Sequence, residues 1–114
     1  MANKRKLKRR DLIYYLSIFD RNTNQFIGQL VNITTEGVML ISENPVKPNL
    51  CFEFRMVLPE KIDGSDEILF DAKSLWCKKD VNPCFYDVGF QIEKVDTQDI
   101  ERIQSLISEF SFKG

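Results

Sequence analysis

The chain has 114 residues, of which 43% are hydrophobic and 29% charged, and its formal net charge is −1. That suits one domain with a single modest core and argues against general disorder, and no apolar run approaches the roughly 20 residues that span a bilayer. There is no histidine, and the three cysteines (Cys51, Cys77 and Cys84) form no C-x-x-C pair, so the composition points away from an enzyme, away from a metal site and toward free thiols in a reducing cytoplasm.

Charge is unevenly spread along the chain. Lys4, Arg5, Lys6, Lys8, Arg9 and Arg10 place six cations within seven residues, while the other 108 residues hold 10 basic and 17 acidic side chains. The chain reads as an acidic domain, residues 12–114, with a flexible basic N-terminal arm, residues 1–11. Such an arm is suited to phosphate in some form. Residues 12–19 are apolar and follow the basic run, but Ser17 interrupts them, Asp20 and Arg21 end them and a small-residue cleavage site is lacking, so they read as a first strand rather than a signal peptide.

A polar turn at residues 20–24 leads to a second strand over residues 25–31, where Gly28 suggests a bulge or a close backbone approach. Asn32-Ile33-Thr34-Thr35-Glu36-Gly37 follows. Its Asn and Thr side chains can bond back to the backbone, and Gly37 can take a positive φ, so the stretch reads as a hairpin-type turn. A third strand occupies residues 38–42. After a proline-containing loop at 43–49, residues 50–58 alternate with Phe52, Phe54, Met56 and Leu58 on one face. Residues 59–66 read as a polar loop. The fifth strand, residues 67–76, places Ile68, Phe70, Ala72, Ser74 and Trp76 on one face; Trp76, late in the strand, reads as core or rim packing, the alternative being a place beside a ligand or the arm. A polar loop at 78–83 precedes a sixth strand over 85–92, in which Gly89 marks backbone geometry.

The period then changes. Ile100, Ile103, Leu106, Ile107 and Phe110 recur at helical spacing, with Asp96 as a plausible N-cap and Asp99 and Glu101 near the positive end of the helix dipole. The expected fold is all-β: a six-stranded antiparallel barrel with a C-terminal helix. Closure removes the exposed edges that an open sheet of this size would carry.

Two spacings stand out. Arg5-x-x-x-Arg9 precedes the first strand, and Asn32-x-Thr34-x-x-Gly37 joins the second strand to the third. Together with Leu75-Trp76 and Asp87-Val88-Gly89-Phe90, their order and setting resemble the PilZ domain family, bacterial receptors for cyclic di-GMP, over nearly the whole chain. The resemblance implies a split-barrel fold, no enzymatic activity, no metal and no cofactor other than the ligand itself. It implies that Arg5 and Arg9 wrap over the ligand, with Arg10 as a further candidate, and that Asn32 and Thr34 meet guanine while Gly37 sets the turn. The chain departs from the commonest pattern by carrying Asn32 for Asp and Thr34 for Ser, and the extra methyl of Thr34 bears on affinity.

The chemistry agrees with those roles. A guanidinium can fork onto phosphate oxygens or the O6/N7 edge of guanine, whereas lysine supplies only charge. The expected partners are cyclic di-GMP and a downstream protein. The alternative is a PilZ-like interaction domain with weak or no nucleotide binding. A nucleic acid polymer is disfavoured because the basic residues are confined to the arm and the barrel is acidic.

Overall fold

A computed structural model describes residues 16–110 of the chain. The arm, with Arg5, Arg9 and Arg10, and the beginning of the expected first strand lie outside the described residues. Six strands are present: β1 (Ser17–Asp20), β2 (Phe26–Ile33), β3 (Gly37–Ser42), β4 (Cys51–Ile62), β5 (Ser65–Lys79) and β6 (Tyr86–Val95), followed by helix α1 (Thr97–Phe110). Every pairing is antiparallel, and the strands close in the order β1-β2-β3-β6-β5-β4.

The period-two pattern explains the interior. Ile18, Leu30, Leu40, Phe54, Met56, Ile68, Phe70 and Val88 point inward and are buried. Phe54 sits at the centre of an aromatic cluster, with ring centroids 5.0 Å from Phe90, 5.3 Å from Phe52 and 5.8 Å from Phe70. Ile103 and Leu106 of α1 join the same core, so the helix packs its apolar stripe against β4 and β5. Asp99, expected as a dipole partner, is mostly buried. It accepts from Arg102 Nη1 at 2.7 Å and from the Leu69 N–H at 3.4 Å, while Arg102 Nε donates to the Ile62 carbonyl at 3.1 Å and Nη2 to the Asp63 carbonyl at 3.2 Å. The pair therefore ties α1 to the turn between β4 and β5.

That turn is tighter than the sequence suggests. The expected loop at 59–66 is mostly strand: β4 continues through Pro59 to Ile62, and β5 begins at Ser65. Only Asp63 (φ 50°) and Gly64 (φ 81°) lie between them. Two consecutive positive φ values in an Asp-Gly pair form the two-residue hairpin turn whose twist matches that of the flanking strands. Pro59, which has no N–H to donate, falls in the irregular stretch of the β4–β5 ladder between Val57 and Ile62.

Two other irregularities decide which side chains face outward. In β2, Leu30 pairs with Leu40 but Asn32 pairs with Met39, so Val31 is an extra residue. In β5, Ser74 pairs with Phe90 but Trp76 pairs with Gly89, so Leu75 is an extra residue. Each bulge shifts the alternation by one place. After Val31 the inward side chain is Ile33 and Asn32 is exposed. After Leu75, Trp76 leaves the buried face that Ser74 occupies and stands 39% exposed, beside Leu75 at 46%. Of the placements open to Trp76 from the sequence, this one-residue shift excludes the core.

Candidate functional site

The four adjacent strands β2, β3, β6 and β5 carry a shallow cavity of about 280 Å³ on their outer surface. Its lining includes Asn32, Thr34, Gly37, Leu75, Trp76 and Gly89, so the turn and the displaced tryptophan share one site. No charged side chain lines it among the described residues.

The turn is held from within. The Thr34 N–H donates to the Gly37 carbonyl at 2.9 Å, and Thr34 Oγ1 accepts from the N–H groups of Glu36 and Gly37, both at 3.1 Å. The Ile92 N–H donates to the Glu36 carbonyl at 2.8 Å, which fastens the turn to β6. The Thr34 oxygen is thus occupied as an acceptor, while its proton reaches only the Gly37 carbonyl, at 3.5 Å. Asn32 Oδ1 accepts from the Ile33 N–H at 2.9 Å, which leaves the amide nitrogen as the group Asn32 offers outward. Both polar residues therefore present donors to the cavity.

Gly37 is required here, but not for a positive φ. Among the described residues that conformation belongs to Asn24, Asn49, Asp63 and Gly64. The reason is the approach of β6: a Cβ on Gly37 would lie 2.7 Å from the carbonyl oxygen of Phe90. Gly28 is the same kind of position, since a Cβ there would lie 2.5 Å from the Ile41 carbonyl oxygen. Gly89 serves Trp76. The indole rests on the Gly89 backbone, where a Cβ would overlap ring atoms Cε2, Nε1 and Cζ2. The packing role read from sequence is real, but the glycine seats the ring on the outside of the barrel and leaves it partly open.

Beyond Gly89 on the same outward face of β6 lies Asp87, paired in register with Ile41 and Lys78. Its Oδ1 is buried and has no hydrogen-bond partner among the described residues. Burial first, and then the neighbouring Asp80 carboxylate, push the Asp87 carboxyl above the ordinary range, with Lys78 opposing. Asp80 moves the other way, chiefly because the Asn82 N–H donates to it and then through the neighbouring Asp87 carboxyl.

A wider cleft of about 410 Å³ lies elsewhere, lined in part by Asp20, Glu53, Asp71 and Glu93, with Arg21 Nη2 donating to Asp71 at 2.6 Å. Four carboxylates outweigh Lys94 there and disfavour an anionic ligand. Among the described residues, no three Cys, Asp or Glu side chains gather as a metal cluster. No described helix is long and apolar enough to cross a membrane.

The fold and the outward-facing turn define a closed six-stranded receptor-type barrel capped by one helix. The family model of the PilZ domain matches residues 3–109, and the chain belongs to that family, whose members are ligand-binding modules rather than enzymes. Among solved structures, the inhibitor of motility MotI/DgrA of Bacillus subtilis is similar with a TM-score of 0.68 at 14% identity, over 92% of this chain and 52% of its own. The chain thus spans about half the length of that protein. The PilZ domain of YcgR from Escherichia coli, solved with c-di-GMP, has a TM-score of 0.64 at 12% identity, over 91% of this chain and 92% of that one. At such identities the likeness is one of fold. No curated protein matches the chain.

Two outcomes follow from the site's geometry. Trp76 is the only tryptophan of the chain, so intrinsic emission reports on this position alone. Gly89→Ala should push the indole off its seat and shift its emission to longer wavelength while the far-ultraviolet circular dichroism stays unchanged; an unaltered emission spectrum would contradict the contact. For Asp87, a raised folded-state pKa means the charged form is disfavoured by the fold, so the strain appears as pH rises past the unfolded value near 4. Asp87→Asn should therefore raise Tm at neutral pH, with the gain shrinking as pH falls through the ordinary aspartate range. A gain that is the same at pH 3 and pH 7 would contradict this.

Proposed function

We propose that the chain is a cyclic di-GMP receptor module in which the barrel supplies a base-binding platform and the basic arm supplies the countercharge. The observation that carries this reading is the pairing of a half-exposed indole with two donors, the Asn32 amide and the Thr34 hydroxyl, over a cavity that no charged side chain among the described residues lines. A planar heterocycle suits the indole, since stacking on an aromatic face contributes about 1–3 kcal/mol per base. Two donors suit the N7 and O6 acceptors of guanine. Adenine would set its N6 donor against one of them.

A volume of about 280 Å³ falls at the small end of ligand sites, which run from roughly 300 to 1,000 Å³. It can hold one part of a dinucleotide, and the phosphates then need cations from elsewhere. Arg5, Arg9 and Arg10 are proposed for that task. The place where the arm begins supports this: the Leu30 N–H donates to the Leu16 carbonyl at 2.7 Å, and β1 runs antiparallel to β2. The described chain thus begins beside Leu30, two residues before Asn32. Arg10 to Arg5 are six to eleven residues before Leu16, at most about 3.3–3.6 Å each, so they have the reach to cover the cavity.

In this reading residues 1–11 form the arm of a single domain, with residues 12–114 as the barrel and helix. Binding changes the arm's conformation, and a downstream protein in the cytoplasm reads the altered surface. Asn32, Thr34 and Gly37 form the fixed half of the site, and the arginines form its closing half.

Calorimetry on the full chain tests the proposal. Cyclic di-GMP should bind saturably, Arg5→Ala and Arg9→Ala should each weaken it by about tenfold or more, as loss of a charge-assisted hydrogen bond does, and cyclic di-AMP should bind far more weakly. Absence of heat from the intact chain at high cyclic di-GMP concentration would remove the proposal and leave a protein-interaction barrel in its place.

A further inference from the structure

The barrel's own cation at this site belongs to neither motif. Lys78 follows Trp76 by two residues, and beyond the Leu75 bulge both are on the outer surface of β5. Its Nζ stands 5.7 Å from the centroid of the Trp76 ring. It also borders a second cavity of about 430 Å³, whose lining adds Lys47 and Lys79 to Val46, Cys77 and Tyr86. Lys78 therefore stands on the ridge between the uncharged base cavity and a lysine-lined neighbour. Anything too large for the first cavity and leaving it on this side meets Lys78 first.

The lysine's charge is available. Its cross-strand neighbour is Asp87, but the two do not form an ion pair. Contact with the indole provides only a modest cation–π attraction at an exposed site, about 0.5–1 kcal/mol. A phosphate oxygen offers a stronger, charge-assisted partner.

We infer that Lys78 is a phosphate-binding residue of the site: it lies over the indole in the free protein and moves onto a phosphate of the ligand when a base takes the indole face. This rests on the reading of the cavity as a cyclic di-GMP site. Under it, part of the countercharge is fixed to the barrel and only the remainder comes from the arm. The same ring then reports whether the lysine or the base occupies it.

The test is a cyclic di-GMP titration of the full chain and its Lys78→Gln, Lys78→Arg and Lys61→Gln variants at several salt concentrations. Lys61 is an exposed lysine near the end of β4 and controls for the loss of one positive charge. Lys78→Gln should raise Kd by about tenfold and make the binding less dependent on salt. Lys78→Arg should stay near the intact chain, and Lys61→Gln should change neither quantity. Equal or tighter binding by Lys78→Gln, while the intact chain binds, would overturn the inference alone and reduce Lys78 to a cover of the ring. Failure of the intact chain to bind would overturn the inference together with the reading beneath it.

Discussion

Two one-residue shifts govern this molecule. A strand alternates its side chains strictly, so a residue inserted into a ladder reverses the assignment of everything after it. Val31 is that residue in β2, and Leu75 is that residue in β5. Without the first, Asn32 would point into the barrel, where an amide needs partners that the apolar interior lacks. Without the second, the indole would have to fit the space beside buried Ser74, whose hydroxyl donates to the Lys47 carbonyl at 2.6 Å. The bulges keep the interior apolar and place both groups on the same outer surface. Gly89 completes the arrangement by leaving room for the ring to lie across β6.

The barrel was largely legible because most of its strands follow period two without interruption. Phe52, Phe54, Met56 and Leu58 mark β4, and Ile68, Phe70 and Ala72 mark the buried face of β5; the helix was equally plain from Ile100, Ile103 and Leu106. The bulges were harder to read, because an extra residue is defined against a partner strand and not within its own. Traces exist in the sequence. Leu30 and Ile33 are both buried yet three apart, which no unbroken alternation allows. Leu75-Trp76 sets two large apolar residues side by side where the pattern permits one. The Asp63-Gly64 turn was missed for another reason. Pro59 looked like the end of a strand, but it sits in an irregular part of the ladder that tolerates it.

The site was legible as residue types and illegible as geometry. Thr34 was expected both to tighten the turn and to meet a base; its oxygen does hold the turn, accepting from the Glu36 and Gly37 N–H groups. Gly37 was expected to supply a positive φ; it supplies clearance for the Phe90 carbonyl. Each distinction depends on contacts between strands distant in sequence. The electrostatic division was visible from the start, since the arm concentrates six cations and the rest of the chain is acidic. The structure adds that no carboxylate among the described residues lines the cavity beside the turn, whereas the cleft at Asp20 and Asp71 is rich in them.

The central claim is that one base of cyclic di-GMP lies between Trp76 and the side chains of Asn32 and Thr34. Nitrogen-15 NMR of the full chain during a cyclic di-GMP titration tests it most directly, because Trp76 contributes the only indole N–H and the Asn32 side-chain amide has its own pair of signals. The account expects the indole signal, the Asn32 amide pair and the backbone signals of Thr34 and Gly37 to shift together along one saturation curve. Binding that leaves those signals in place and moves the residues of the acidic cleft instead, such as Glu53 and Glu93, would contradict it.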